Sequence, residues 1–212
     1  MKKLLKYLKL ISVEPFILDS ADGEKILAEA KDLFEYIDSG FRDWGADEKG
    51  PATKETPVCV YEMAKDATFS QMFSLLSSDK SKLCLTQAQI IEFVKKYRNW
   101  LQADDYATFF LFESNGQFFV ADAVACSDGA LGVSVSRFKD SHVWSAENRR
   151  RLVVPQLAVW YFDALLFVFL FFSKLIPWDS LSSRGFFCMI VMQSENTSRL
   201  RLRVKVAKKI KT

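Results

Sequence analysis

The sequence predicts an α+β fold: N-terminal short helices packed on an antiparallel β-meander, followed by a hydrophobic transmembrane helix and a basic hairpin-like tail. Three observations predict it. Capping residues precede apolar residues at helical spacing in the first half of the chain. After Asp105 the period of the apolar residues changes from 3.6 to 2. A run from Leu157 to Ile176, LAVWYFDALLFVFLFFSKLI, is broken only by Asp163, Ser173 and Lys174. The implied division is an α+β domain over residues 1–155, a hydrophobic helix over 156–178 and a basic tail over 179–212.

With 212 residues, 50% of them hydrophobic, the chain can bury one ordinary core and carry an appendage, which excludes disorder for most of its length. The net charge of +3 hides an asymmetry. Nine Lys/Arg against three Asp/Glu follow Pro155, and twenty against twenty-three precede it, so the front carries −3 and the tail +6. That balance suits a tail that meets phosphates or anionic lipid, and argues against a uniformly nucleic-acid-binding protein. Cys59, Cys84, Cys126 and Cys188 lack C-x-x-C spacing and lie among apolar neighbours, so they read as buried thiols of a reducing compartment. The opening MKKLLKYLKL is no cleaved signal, because Lys6 and Lys9 interrupt its apolar core. Two readings of it stand: a helix lying on a membrane surface, or a basic terminus leading into a strand at KLISV.

Asp19, Ser20 and Asp22 offer caps to a helix over residues 23–38, in which Ile26, Leu27, Ala30, Phe34 and Ile37 recur at helical spacing. Ser39 and Gly40 end it. FRDWGADEKGPATKE follows as an exposed loop anchored by Phe41 and Trp44. Thr56 and Pro57 read as a helix start, with a helix near residues 58–65, then a second short helix capped by Asp66 with Phe69, Met72, Phe73 and Leu76 as its stripe. Thr86 and Gln89 form a capping box that opens QAQIIEFVKKYRNWL. Ile90, Val94, Tyr97 and Leu101 line one side of that helix, and Lys95 and Lys96 face water.

Beyond Asp104 and Asp105, the strands YATFFLFE, QFFVADAVA and LGVSVSRF are joined by turns at SNG and CSDG, where glycine supplies a positive φ. Further strands are predicted through His142–Trp144 and Leu152–Val154, with the helices covering one face of the sheet. The stretches DLFEYIDSGFRDWG, TPVCVYEMAKDATFSQMF, LCLTQAQIIEFVKKYRNWL, TFFLFESNGQFFVADA and VWSAENRRRLVVPQL resemble a family of uncharacterised proteins from uncultured candidate-phylum bacteria, over roughly residues 10–157. The resemblance implies a domain boundary near VVPQL, and it implies no activity, cofactor or partner.

No catalytic, cofactor-binding or metal-ligating residue is assigned. His142 is the only histidine, so histidine metal sites and most catalytic triads lack parts. Asp104 and Asp105 are adjacent, which in extended chain points them to opposite faces and unfits them as a glycosidase pair. Phosphate-loop, dinucleotide and nucleophile-elbow motifs are missing from the sequence. No cofactor is expected and the chain reads as non-enzymatic.

The tail supplies the localisation. The thirteen Leu, Phe, Val and Ile residues of the apolar run contribute roughly −6 kcal/mol to insertion, and Asp163 costs about +3 kcal/mol. Phe167 and Phe171 would face lipid, with Trp160 and Trp178 as interfacial anchors. A basic surface is predicted at Arg149, Arg150 and Arg151 and again at Arg199, Arg201, Arg203 and Lys205, the last four in a hairpin made by GFFCMIVMQ and SRLRLRVKV. The function this predicts is a non-enzymatic binding module tethered to the inner face of a bacterial membrane, its N-terminal domain cytoplasmic, with membrane lipid and a protein as partners. The alternative is a soluble, cytoplasmic nucleic-acid-interacting protein, because short helices, a basic helix and a hairpin outline a winged-helix module.

Overall fold

The structure, a computed structural model, describes residues 6–102, 106–157, 187–189 and 205–207. The chain divides into two units, Met1–Leu157 and Ala158–Thr212. The first is organised by strands whose side chains are buried on both faces. In chain order its elements are β1 (Leu8–Leu10), β2 (Phe16–Leu18), β3 (Tyr36–Ile37), α1 (Gly40–Asp43), β4 (Thr56–Met63), α2 (Phe69–Ser74), α3 (Gln87–Lys96), β5 (Ala107–Ser114), β6 (Gln117–Ala125), β7 (Leu131–Arg137) and β8 (Arg151–Pro155). They form one mixed sheet in the order β1-β4-β8-β5-β6-β7-β3, with β2 also on β4. β8 lies antiparallel to β4 and parallel to β5, so the last strand of the unit sits at its centre.

Side-chain alternation sends two sets of residues to opposite faces. Val58, Val60, Phe110, Phe112, Phe119, Val133, Val135 and Val153 face one core, which α3 closes with Ile90, Ile91, Phe93 and Val94 and α1 with Phe41. Cys59, Tyr61, Met63, Phe109, Leu111, Val120, Leu152 and Val154 face the other, closed by Phe69, Met72 and Phe73 of α2 and by Phe138, with Trp144 packed against it. The expected single covered face is thus corrected to two.

The predicted helical N-terminal half is corrected as well. Residues 23–38 hold a 3-10 turn at Leu27–Glu29 and the two-residue β3 instead of a helix. Residues 58–65 form most of β4. The sequence misleads there because a strand buried on both faces is a continuous apolar run with no period of its own. Pro57, read as a helix start, lies in β4 opposite Ile17, and its carbonyl accepts the Gln156 amide at 2.7 Å. Its nitrogen shares that side, where the β8 ladder ends, so the missing donor is not needed.

Other expectations stand. The Thr86/Gln89 capping box is formed on both sides, at 3.3 and 3.0 Å. α2 forms at the predicted apolar stripe, but Thr68 with Gln71 caps it, while Asp66 accepts from the Ala146 amide. The meander is antiparallel throughout, and Asn115 and Gly116 take φ of 49° and 67° at the first turn. The terminal strand expected at KLISV forms as β1, and Leu152–Val154 lie in β8. The strand predicted through Trp144 is reduced to one bridge with Ala67. Phe41 is fully buried as an anchor, whereas Trp44 is 40% exposed.

The transmembrane helix is also corrected: among the described residues no helix is long and apolar enough to cross a membrane. α3, with ten residues, is half the length a bilayer core requires. Residues 158–176 lie outside the described residues, and with them Trp160, Asp163, Phe167 and Phe171; Trp178 and Asp104 and Asp105 lie outside too. Of the second unit, strands Phe187–Met189 and Lys205–Ala207 pair antiparallel, as the predicted hairpin requires.

The central place of β8 generates an expectation. A fragment ending at Leu157 should unfold cooperatively in urea, followed by far-ultraviolet circular dichroism. One ending at Arg150 should lose the transition, because β4 and β5 then have no strand between them. Two equally cooperative transitions would contradict the topology.

Candidate functional site

Within β6, Val120, Asp122 and Val124 share the face of the second core, while Phe119, Ala121 and Ala123 belong to the first. Strand register puts Asp122 beside Phe109 of β5 and Ser134 of β7. A carboxyl group therefore stands in the apolar layer, 6% exposed. The Ser136 hydroxyl donates to Asp122 Oδ2 at 3.3 Å, and Asp122 Oδ1 is buried without a partner.

Arg150 and Trp144 complete this region. The Trp144 ring packs on Phe109 and Phe69, at 5.0 and 5.2 Å between centroids, and His142 meets it edge-on at 4.6 Å. Over Trp144 lies the Arg150 guanidinium, 4.9 Å from the ring centroid, with Tyr106 on another side at 5.8 Å. Arg150 Nη1 donates to the Ser145 carbonyl at 3.1 Å. With the Asn148 amide turned so that its oxygen faces the guanidinium, that oxygen accepts from Nη1 and Nη2 at 2.7 and 2.9 Å. Arg150 Nε and Trp144 Nε1 are buried and, like Asp122 Oδ1, have no partner.

Burial pushes the Asp122 carboxyl up to about 8, a rise that the Ser136 hydrogen bond and the Arg150 charge reduce and the Asp38 charge augments. Desolvation lowers Arg150, against the opposing charges of Asp122 and Tyr106. The cysteines are not nucleophiles: burial raises Cys59, and burial with the charges of Glu113 and Asp79 raises Cys84 to about 12. Cys59, Cys84 and Cys126 form no disulfide. Among the described residues no group of three His, Cys, Asp or Glu side chains is placed to hold a metal ion.

Ser136 also lines a cleft of about 290 Å³ with Trp44, Arg137, Lys139 and Asp140. Local geometry fixes Trp44 there. Gly40 lets α1 approach β7, since a Cβ at that position would lie 3.1 Å from Val135 Cγ1. Gly45 turns the chain with φ of 69°, and its carbonyl accepts from Ser114 Oγ and Asn115 Nδ2 at 2.8 and 2.9 Å. The Arg137 guanidinium stands 5.2 Å from the Trp44 ring centroid. Asp140 accepts the His142 amide at 3.0 Å.

The predicted basic cluster is divided among separate partners. Arg149, in the left-handed region with φ of 46°, pairs with the buried Glu62 at 3.1 Å. Arg151 Nη1 donates to the carbonyls of Trp100 and Leu101 at 2.9 and 3.1 Å. Lys95 and Lys96 pair with Asp32 and Asp19 at 2.8 and 3.0 Å. Arg199, Arg201 and Arg203 lie outside the described residues, and Lys205 belongs to the second unit.

No protein-family model, curated protein or solved structure matches the chain. The resemblance over residues 10–157 consequently adds no site residue to those placed by the geometry. Sequence reading missed Asp122 and Ser136; the signal for Asp122 was an acidic residue at a core-facing position of QFFVADAVA.

The Asp122 environment sets a pH dependence. Between the unfolded carboxyl value of 3.8 and the folded value of about 8, the unfolded chain loses a proton that the folded chain keeps. Stability contributed by this group is thus highest at acid pH and falls as pH rises through that window, at up to about 1.4 kcal/mol per pH unit, levelling above 8. Asp122→Asn should flatten this component and stabilise the protein by about 2–4 kcal/mol at pH 7.5 relative to its effect at pH 4. Urea titrations of both proteins across pH 4–9 check it, and parallel profiles would show that Asp122 titrates as an ordinary carboxylate.

Proposed function

We propose that residues 6–157 form a non-enzymatic binding module that takes an acidic segment of a partner protein into the cleft at the end of β7. The make-up of that cleft carries the reading. Trp44 offers an exposed ring face, Arg137 and Lys139 bring two positive charges, and the carboxylate of Asp140 is engaged with the His142 amide. A carboxylate side chain would find cations and a flat apolar wall in one place. The volume of about 290 Å³ lies at the lower end for small-molecule sites and suits one or two side chains of an extended segment.

The strand edge supports the same reading. β3 covers only Gly132 and Val133 of β7, and Asp38 Oδ2 accepts the Val135 amide through a long 3.5 Å contact. The Val135 carbonyl and the Arg137 amide, which face the same way, lie beyond β3. An incoming extended chain would add main-chain hydrogen bonds there while its side chains enter the cleft.

Display of a random peptide library on the full-length chain tests the proposal. Acidic peptides should be enriched, with binding that weakens as salt rises and falls about tenfold or more in Arg137→Glu and Trp44→Ala. Enrichment of peptides without acidic residues, or equal binding by both variants, would end it.

A further inference from the structure

We propose that Asp122, Arg150 and Trp144 form a second binding site, one that holds a small carboxylate. Three buried polar atoms carry the inference: Asp122 Oδ1, Arg150 Nε and Trp144 Nε1, each without a hydrogen-bond partner. They belong to residues in mutual contact. Arg150 stacks on Trp144, Trp144 packs on Phe109, and Phe109 is the cross-strand neighbour of Asp122. Unmet hydrogen-bonding capacity at one buried place is costly in a folded protein, and three such atoms together mark a site shaped for a polar group.

The donors identify its chemistry. Arg150 Nε and Trp144 Nε1 can only donate, so the ligand must accept. The guanidinium brings the positive charge, so a monoanion is neutralised. Asp122 decides the protonation state: with burial holding its carboxyl up to about 8, it is mainly neutral at pH 7 and supplies a third donor, an O–H facing the ligand oxygen. The Ser136 hydroxyl fixes the other carboxyl oxygen. Two oxygens of one carboxylate match three donors, one of them shared. An ionised Asp122 would repel the ligand, so binding is coupled to the proton on that residue. The other charged or titratable groups around the region are Tyr106 and His142, which touch Arg150 and Trp144, and Asp38, whose carboxylate is engaged with the Gly40 and Val135 amides. Asp122 is only 6% exposed, which restricts the ligand to a small one. The site shares Ser136 with the cleft and depends on none of Trp44, Arg137 and Lys139, so the two proposals fail separately.

Isothermal titration of the full-length chain with sodium formate and sodium acetate, against chloride at equal ionic strength, tests it. Saturable binding is expected at pH 6.5, with formate and acetate competing and affinity about tenfold lower at pH 9, where Asp122 has lost its proton. Trp144→Phe keeps the ring and removes the N–H; it should bind about tenfold more weakly while its urea transition stays cooperative. Asp122→Asn should bind equally at both pH values, and Arg137→Glu should bind as the parent does. Absence of saturable binding at pH 6.5, unchanged affinity in Trp144→Phe, or tighter binding of inorganic phosphate than of formate would each overturn the assignment.

Discussion

The structure of the first unit depends on β8 lying between β4 and β5. Five residues, Arg151–Pro155, pair along β4 and three of them also along β5. Without them two groups of strands would each present a bare edge, and Val153 on one face and Leu152 and Val154 on the other would leave gaps in both cores. The cost is a long closure, since β8 is separated from β4 by more than eighty residues of chain. Loop-closure entropy grows only logarithmically with length, so a well-packed central strand outweighs it. The two-sided burial of the sheet follows from this placement, as does the path of the segment that carries Trp144 and Arg150 over the second face.

That second face shows how far polar groups are tolerated next to a dense aromatic layer. Phe69, Phe109 and Trp144 make a rigid apolar floor, and Asp122 stands at its border. An alanine or valine at position 122 would continue the pattern of QFFVADAVA and remove a desolvation cost that the Ser136 bond and the Arg150 charge offset only in part. A residue that lowers stability where an apolar one would pack is a sign of work done by the carboxyl itself.

How much of this was legible in the sequence depends on whether a residue's role is local. The Thr86/Gln89 box, the SNG turn and the alternating meander are set by neighbours within a few positions, and each is found where the sequence places it. β4 was not legible. Its apolar residues Val58 to Tyr61 are buried on both sides by elements far away in the chain, and a run without period reads as helix or strand alike. The cleft was half legible: Trp44 stood out as an aromatic in a polar loop, but its pairing with Arg137 needs the approach of α1 to β7. Asp122 was legible as a residue and not as a site, because its partners Ser136, Trp144 and Arg150 come from three later segments.

The three consecutive arginines show why a sequence cluster is a poor guide to a surface charge patch. Arg149 ends a 3-10 turn in the left-handed region, Arg150 precedes the strand and Arg151 begins it, so each Cα–Cβ bond points in a different direction. Arg149 consequently reaches Glu62 on β4, Arg150 crosses to Trp144 above the second face, and Arg151 turns to the carbonyls that end the chain after α3. Their charges tie three parts of the fold to the start of β8. An arginine suits such positions better than a lysine, since its planar fork serves several acceptors while its face lies flat on an aromatic ring. The positive charge that the sequence concentrates at one place is, in the folded chain, the means by which the central strand is held in register with what surrounds it.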